Sequence, residues 1–381
     1  MLPNASSNST GGTSSSPQAS ESTSNSTTSS SIASSNAASA MITTAIQTEI
    51  AFVCNMLSKL FESTKLISDA ALKDVIEALL QLSIECGDLA YLRTEPCLFA
   101  VAKLYETSIS NLNRLDSFWS QVTLHLLCSC KHTNIKYREW CVDSICSMIR
   151  STFNFKLNPN STMNENEESQ AVRDKILHPL HELSSIHFND VRQKQIECTL
   201  SILRLMGQHL NSSWPVLLNI IGAIHREHSE SLIRASFQCL QLVVTDFLSM
   251  IKADFFSLVI NVVSKFGSQE QDLNISLTAI VLLWNISDYM FQNSEKLNKE
   301  LQSESIESIW MVLYSRLGQL CVDQRPAVRK SACQTLFCTI SSHGSILSVD
   351  LHWKDLVWNV LFPLLEQVRN DSNILMNFRI Y

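Results

Sequence analysis

The sequence predicts an all-α protein in which pairs of helices stack into a solenoid, preceded by a disordered N-terminal tail. Three observations support this fold class. Only 8 glycines and 8 prolines occur in 381 residues, so the residues that make tight turns between strands are scarce. The hydrophobic fraction is 45%, which provides the apolar surface for a large core. A local pattern with a helical spacing of apolar residues also recurs five times along the chain.

The N-terminal segment differs in composition from the rest of the chain. Residues 1–47 are rich in Ser, Thr, Asn and Ala and contain almost no charged or aromatic side chains. Such a segment buries too little apolar area to offset the entropy of ordering it, so it is predicted to be a disordered tail. Helical periodicity begins near Glu49, and residues 48–370 are predicted to form the repeat domain. Residues 371–381 are an atypical C-terminal tail.

Each copy of the repeated pattern has a polar or turn residue, an apolar residue, usually an arginine, and then an apolar helix. The five copies contain Tyr137-Arg138, Val191-Arg192, Ile233-Arg234, Ile275-Ser276 and Val328-Arg329. The second, third and fourth copies follow one another at steps of 42 residues, within the range of about 40–47 residues for HEAT and armadillo repeats. The two longer steps contain polar insertions at residues 158–170 and 292–305, which are predicted to be exposed loops or helix extensions.

An apolar helix precedes each copy of the pattern, as a two-helix repeat requires. These predicted first helices are Phe118–Cys128, Ile176–Ile186, Trp214–Ile224, Phe255–Phe266 and Ile309–Leu320. Further helices are predicted at 49–62, 70–86 and 95–110, and a last one runs from Trp353 to Arg369, which Pro363 can kink. Because no single pair can bury its apolar faces alone, stacked neighbours must share one continuous core.

Charged residues recur at the start of the predicted second helices. A carboxylate there caps free N–H groups and meets the positive end of the helix dipole. The pattern arginines can reach a carboxylate in the adjacent repeat, which would form a ladder along the stack. The residues of this predicted structural ladder are Arg138, Asp190, Arg192, Arg234, Asp323 and Arg329. Ligand binding by these pairs is the alternative, and the structural role is favoured because paired charges in helical stacks are commonly structural.

The other candidates for chemistry do not complete a motif. His181-Glu182 begins an H-E-x-x-H pattern, but position 185 is Ser185, so the second zinc-ligating histidine is absent. The C-x-C-x-H run that begins at Cys128 supplies three ligands, whereas a structural zinc site takes four. The sequence contains neither a glycine-rich phosphate loop nor a G-x-S-x-G elbow. We therefore predict no catalytic, cofactor-binding or metal-binding residues, and no enzymatic activity.

Charge and hydropathy restrict the environment of the protein. The formal net charge of −7, with no basic stripe, argues against nucleic-acid binding. Most of the 12 cysteines lie in apolar helical patterns, which fits free thiols in a reducing compartment. The first basic residue is Lys59, so the positive region of a secretory signal is missing. The most apolar stretch, Leu277 to Ile286, is shorter than the ~20 residues that cross a bilayer. We expect a soluble cytoplasmic protein whose membrane association is indirect and peripheral.

Six long runs in the repeat region resemble a known family in sequence and in order. They begin at Tyr137, Val191, Ser213, Ala235, Asn274 and Arg325. Together they are similar to the central region of the Mon-two proteins, relatives of the large BIG-type Arf exchange factors. The resemblance covers roughly residues 50 to 370.

The resemblance implies a HEAT/armadillo-type scaffold at the trans-Golgi network and endosomes that regulates Golgi-to-endosome vesicle-mediated protein transport. It implies trafficking factors as partners, including Arf-family GTPases and flippase complexes. Members of the family lack the Sec-seven exchange domain, and this chain has no Phe-Arg-Leu-Pro-Gly-Glu-like run. Family members are several times longer, which implies a fragment, a short isoform or an incomplete gene model. The alternative is a HEAT-repeat adaptor of another system, such as nuclear transport.

Overall fold

The scarcity of glycine and proline predicts long helices, and the computed structural model of the chain contains them. It describes residues 26–156, 167–302, 305–347 and 352–369, and within these ranges every regular element is helical. This confirms the predicted all-α fold class. The chain divides into two units, Met1–Leu60 and Phe61–Tyr381.

The described part of the first unit lies in helix α1 (Ser26–Glu62). No glycine or proline occurs between these bounds, so nothing in the sequence interrupts the helix. The side chains from residue 41 to residue 56 are all exposed. Residues 26–47 were predicted to belong to a disordered tail, whereas the structure places them in α1. The rest of that predicted tail, residues 1–25, lies outside the described residues, as do residues 370–381.

The second unit contains the predicted helix pairs. Its helices are α2 (Asp69–Ala90), α3 (Phe99–Ser110), α4 (Trp119–Ser129), α5 (Ile135–Lys156), α6 (Glu167–Glu182), α7 (Asn189–Met206), α8 (Trp214–Gly222), α9 (Glu230–Asp246), α10 (Phe256–Ser268), α11 (Leu273–Gln292), α12 (Ser294–Glu300), α13 (Ile306–Leu320), α14 (Pro326–His343) and α15 (His352–Leu356). The five copies of the sequence pattern begin α5, α7, α9, α11 and α14, which are the second helices of their pairs.

These helices form two layers. The first helices α2, α4, α6, α8, α10 and α13 pack on one another in that order, and α15 packs on α13. The second helices α3, α5, α7, α9, α11 and α14 form the other layer in the same way. Within a pair the two helices contact each other. In the pair α6 and α7, Gln195 donates a hydrogen bond to the main-chain oxygen of Leu180, and both helices contact the short 3-10 segment Leu183–Ser185 between them. This arrangement is the helical solenoid that the repeat predicts.

Local sequence explains where several helices begin. Ser68, Ser229 and Ser305 are the N-cap residues of α2, α9 and α13, and each side chain accepts a hydrogen bond from a main-chain N–H three residues later. Proline occupies the first turn of α8 and of α14, where the missing N–H would have had no partner within the helix.

The core lies between the two layers and runs through all the pairs. Its largest fully buried side chains include Trp119, Trp214 and Trp310, each on a first helix. Val142 and Leu336, on second helices α5 and α14, are also completely buried. The apolar positions of both helix types therefore meet in one shared core, as the stacking of incomplete pairs requires.

The two insertions and the last helix differ from simple repeats. Most of the insertion at residues 158–170 lies outside the described residues. The insertion at residues 292–305 contains α12, whose Leu297 is buried against the stack, so it is a helix extension rather than only an exposed loop. The predicted helix from Trp353 to Arg369 contains a π-helical turn, Val357–Leu361, just before Pro363. Because proline cannot donate to the oxygen four residues earlier, the helix is irregular at this point.

Candidate interaction surface

Arg138 joins its repeat to the next one. Its Nε donates to Oδ2 of Asp190 on α7 at 2.9 Å. Its Nη1 donates to the main-chain oxygen of His132 at 2.6 Å, within its own turn. The guanidinium lies 3.8 Å from the centre of the Phe188 ring, which is the geometry of a cation–π contact. Because the Arg138 side chain is almost entirely buried, solvent ions screen this ion pair little.

Arg234 and Asp272 form a similar bridge between α9 and α11, with 3.0 Å between Nη2 and Oδ2. Arg234 also contacts Glu230 one turn earlier, at 2.5 Å, and 57% of its side chain is exposed. Asp272 is the N-cap residue of α11 and accepts from the main-chain N–H of Asn274 at 2.9 Å. The hydrogen bond from Arg234, and then those from the main chain, lower the pKa of Asp272. The carboxylate is therefore charged at neutral pH.

Arg192 occupies the same position of the pattern but is bonded to neutral groups. Only 1% of the residue is exposed. Its Nη1 donates to the Ser184 hydroxyl at 3.2 Å and to Oε1 of Gln195. Its Nη2 donates to the main-chain oxygens of Ile220 at 3.2 Å and Ala223 at 2.9 Å, at the C-terminal end of α8. Burial lowers the pKa of Arg192 to about 10, so the cation persists at neutral pH and caps the negative end of the α8 dipole.

Asp323 and Arg329 lie in the turn between α13 and α14. Arg329 donates from Nη1 to the main-chain oxygens of Asp323 and Gln324, both at 2.8 Å. The Asp323 carboxylate instead pairs with Arg325, at 2.8 Å, and the hydrogen bond from Arg325 lowers the pKa of Asp323. Arg325 also donates to the main-chain oxygen of Gly267 at 3.1 Å, at the end of α10. Arg325 therefore links this turn to the preceding repeat.

The structure places the six predicted ladder residues at or beside the junctions. Arg138 and Asp190 form an ion pair with each other, whereas Arg329 bonds to Asp323 only through its main-chain oxygen. Sequence reasoning missed Asp272 and Arg325 as partners. Asp272 had a usable signal, since it is the polar residue that begins the fourth copy of the pattern, where an N-cap residue is expected. No sequence signal indicated this role for Arg325, because an arginine in a turn is usually solvated. A purely structural role for the ladder stays a prediction.

The candidate metal ligands near Cys128 are not brought together as a site. Cys128 is exposed, Cys130 is buried, and burial raises the pKa of the Cys130 thiol. His132 uses both ring nitrogens in hydrogen bonds: Nε2–H donates to the Gly87 oxygen at 3.1 Å, and Nδ1 accepts from the Asn134 N–H at 2.9 Å. Among the described residues, no group of three or more His, Cys, Asp and Glu side chains could hold a metal ion.

A serine and a histidine that the sequence did not single out lie within hydrogen-bond distance of each other. Nε2 of His125 on α4 lies 2.9 Å from Oγ of Ser83 on α2. The same hydroxyl lies 3.2 Å from the Tyr137 hydroxyl on α5, and burial raises the pKa of Tyr137 to about 12. Ser83 is fully buried, and its hydroxyl contacts both His125 and Tyr137. The three side chains satisfy one another across three helices, which is a structural network rather than a nucleophile with its base.

Two further histidines, His181 and His228, lie outside the fully buried core. His181 is exposed and Glu182 is partly exposed at the end of α6, which agrees with helix-surface residues. His228 is partly buried, and its Nδ1 accepts from the main-chain N–H of His225 at 3.2 Å. Burial, together with the charge of Arg192, lowers the pKa of His228 to about 4. His228 is therefore neutral at pH 7 and serves as an acceptor in its turn.

One described helix, α11, is long and apolar enough to span a membrane if only length and composition are considered. Half of its most apolar window is buried within the protein. The helix packs against α9, α10, α12, α13 and α14, which are all helices of the second unit. This is the environment of a core helix.

The outward surface of the second layer carries ion pairs and scattered apolar side chains. Lys194 on α7 lies 3.1 Å from Asp143 on α5. Trp140, Leu205 and Phe337 are exposed on different helices of this layer. Apolar side chains exposed one at a time are ordinary on protein surfaces.

Two family models match the chain. One describes the C-terminal region of Mon2 protein and matches residues 245–308 and 304–380. The other describes a Mon2/Sec7/BIG1-like region, HDS, and matches residues 160–242. The matched segments include the helix pairs from α6 onward.

Individual relatives match along a greater part of the chain. The Protein MON2 homolog of Drosophila melanogaster is 47% identical over 353 residues, which cover 89% of this chain and 21% of the relative. The Protein MON2 homolog of Homo sapiens is 44% identical over 356 residues, which cover 87% of this chain and 20% of the relative. Brefeldin A-inhibited guanine nucleotide-exchange protein 2 of Arabidopsis thaliana is 21% identical over 350 residues, which cover 83% of this chain and 19% of the relative. The chain thus spans about one fifth of the length of the curated relatives it matches.

Proposed function

Because the chain belongs to the Mon2 family along the region that it shares with its relatives, we propose that it is a non-enzymatic scaffold of vesicle-mediated protein transport. In this proposal it regulates traffic from the Golgi to endosomes by binding other proteins. The single structural observation that supports it is the stacking of helix pairs in the second unit. Each added pair extends one surface, which suits a protein that holds partners side by side.

The polar side chains at the repeat junctions support a scaffold rather than a catalyst. Arg192 and Arg325 are engaged with main-chain oxygens at the ends of α8 and α10. The Ser83 hydroxyl is buried in a network with His125 and Tyr137. These groups are used to join helices, so their chemistry serves the fold.

The distant relatives suggest the pathway in which the scaffold works. The Arabidopsis thaliana relative is named as a guanine nucleotide-exchange protein. We infer a connection with Arf-family GTPase pathways, in which this chain binds components but does not itself release nucleotide. The absence of a Phe-Arg-Leu-Pro-Gly-Glu-like run from its 381 residues supports this part of the proposal.

We place the protein in the cytoplasm, peripherally at the trans-Golgi network and endosomes. Its proposed partners are trafficking factors, with Arf-family GTPases and flippase complexes among them. The net charge of −7 is unfavourable for binding to anionic lipid headgroups, so recruitment through proteins is the simpler route.

Localisation in cells tests the proposal most simply. The full chain with a fluorescent tag is expressed, and its position is compared with trans-Golgi, endosomal and nuclear-envelope markers. We expect the tagged chain to overlap with the trans-Golgi and endosomal markers. Accumulation at the nuclear envelope would contradict the trafficking proposal and would favour a nuclear-transport adaptor.

A nucleotide-release assay tests the non-enzymatic part. The purified chain is added to an Arf-family GTPase loaded with a fluorescent guanine nucleotide, with an authentic exchange domain as positive control. We expect the release rate to equal that of the GTPase alone. Acceleration of release in proportion to the concentration of the chain would contradict this part of the proposal.

A further inference from the structure

A proline in α6 creates an unusual contact with α4. Pro179 has no N–H to donate to the main-chain oxygen of Lys175, four residues earlier. The indole Nε1–H of Trp119 donates to that oxygen at 3.1 Å. Trp119 is the first residue of α4 and is fully buried. A side chain of one first helix thus supplies the hydrogen bond that the next first helix lacks.

An open cleft of about 530 Å³ lies between α4 and α6 beside this contact. Its volume is within the range of about 300–1,000 Å³ that is usual for ligand-binding pockets. Its apolar lining includes Trp119, Leu124, Leu127 and Pro179. The hydroxyl of Thr123, which also lines the cleft, is already bonded to the main-chain oxygen of Trp119 at 2.7 Å. Leu124 is 64% exposed, so a large apolar side chain at the cleft is left in contact with water.

The charges at the cleft have a net negative sign. Lys175 lies 2.5 Å from Asp116, so these two charges balance each other. Asp174 accepts hydrogen bonds from neutral groups, the Gln170 amide at 2.9 Å and the Ser213 hydroxyl at 2.8 Å. The groups that bond to the Asp174 carboxylate, which lines the cleft, therefore carry no charge to offset its own.

A second carboxylate, that of Glu182, lies further along α6. Eight residues separate it from Asp174, which corresponds to about 12 Å along a helix. Glu182 has 45% of its side chain exposed and lies 3.8 Å from the ring of His178, which lines the cleft. A ligand in the apolar cleft would meet the Asp174 carboxylate in the lining, and the Glu182 carboxylate beside His178 would add negative charge along α6.

We propose that this cleft binds an amphipathic helix of a partner protein, with bulky apolar side chains on one face and Lys or Arg on either side of them. A groove between two neighbouring helices that is apolar inside and acidic along its edge is complementary to such a helix. The proposal rests on the proposed function, since it specifies one kind of segment that the scaffold binds.

A designed peptide tests the proposal on the full chain. The probe is a fluorescein-labelled helix of about 18 residues, made only of leucine and lysine, with leucines at the i, i+3, i+4 and i+7 positions. Binding is followed by fluorescence anisotropy. Leu124→Gln removes apolar contact area without adding charge and is expected to raise Kd about tenfold. Asp174→Asn removes one charge and is expected to raise Kd about threefold and to weaken the dependence of Kd on salt.

Matched controls separate the cleft from the rest of the acidic surface. Leu89 on α2 is 45% exposed and lies outside the cleft lining, so Leu89→Gln is expected to leave Kd unchanged. A peptide with glutamate in place of every lysine is expected to bind at least about tenfold more weakly, because like charges repel at the cleft. Unchanged thermal unfolding of each variant shows that the fold is intact.

Three results would overturn the proposal. The first is equal binding by the wild-type chain and Leu124→Gln. The second is equal affinity for the lysine and glutamate peptides. The third is self-association of the chain, measured by light scattering, that Leu124→Gln abolishes, because the cleft would then be occupied by a second copy. Any of these results together with normal Golgi localisation would remove the cleft proposal and leave the proposed function in place.

Discussion

Arginines at one position of a repeated pattern have different partners in different repeats. Arg138 reaches a carboxylate of the next repeat, Arg192 reaches main-chain oxygens in a buried site, and Arg329 reaches oxygens of its own turn. The sequence pattern predicts that an arginine lies at each of these junctions. It does not predict the partner, because the partner depends on how far the next helix pair is displaced and on which acceptors that displacement brings close.

We expect Arg192→Ala to destabilise the protein far more than Arg234→Ala. Loss of the Arg192 guanidinium removes the side-chain donor of the Ala223 oxygen and leaves the Ile220 oxygen with only the 3.3 Å bond from the Ala223 N–H, and the expected cost is about 2–4 kcal/mol. Arg234 is more than half exposed, so its solvated ion pairs contribute little to the free energy of unfolding. Denaturant unfolding of the full chain measures both. Equal decreases in the free energy of unfolding for the two variants would show that burial does not determine how much these arginines stabilise the fold.

The lowered pKa of His228 predicts a pH-dependent stability. Below the usual histidine pKa of about 6.5, the unfolded chain binds a proton at this position while the folded chain, with a pKa of about 4, does not. The contribution of neutral His228 to the free energy of unfolding is therefore fully present above pH 6.5 and is lost as the pH falls toward 4. Between pH 7 and pH 5 we expect the wild type to lose about 1 kcal/mol more than His228→Gln, after allowance for solvent screening. The control is His209→Gln at an exposed position, and identical pH profiles for all three proteins would contradict the assignment.

At the scale of helices, glycines mark the closest approaches within the first layer. A Cβ added at Gly222 on α8 would lie 2.9 Å from Cγ2 of Val262 on α10. A Cβ added at Gly267 on α10 would lie 2.9 Å from Cδ1 of Leu320 on α13. Successive first helices therefore pack against each other at positions where only a hydrogen atom fits without a shift of the neighbour.

The two glycines are expected to tolerate alanine differently. The branched side chain of Val262 has essentially one rotamer in a helix, so Gly222→Ala forces the helices apart and is expected to cost about 1–3 kcal/mol. The end of the Leu320 side chain can rotate away, and the higher helix propensity of alanine, worth up to about 1 kcal/mol, offsets part of the cost at Gly267. Thermal unfolding of the two variants measures the difference. A larger loss for Gly267→Ala would contradict this account.

The sequence allowed most helices to be predicted, but not their irregularities. Apolar spacing located the paired helices because each buries one face. Periodicity could not show that α1 begins at Ser26, since that part of the helix has no apolar stripe. Pro179 did not end α6, because Trp119 supplies the missing hydrogen bond from a neighbouring helix. That contact joins residues 56 positions apart, and no local pattern records it.

For the whole molecule, the repeat predicted the fold class and the relatives support the pathway. The cleft between α4 and α6 could not be predicted, because its apolar walls come from two helices and its acidic edge from the spacing of Asp174 and Glu182 on one of them. Residues in a stack contact mainly the adjacent repeats, so periodicity along the chain determines the order of the layers. It leaves open which outward side chains converge on a partner.

Proximity labelling in living cells tests the central claim most directly. The full chain is fused to a biotin ligase and compared with Leu336→Asp, in which a charge replaces a fully buried leucine at a cost of several kcal/mol. We predict that the intact chain labels trafficking proteins of the trans-Golgi network and endosomes, and that Leu336→Asp loses this set because the stack no longer forms. Labelling of mainly nuclear-transport proteins, or the same labelled set for both chains, would contradict a trafficking scaffold that acts through its folded helical surface.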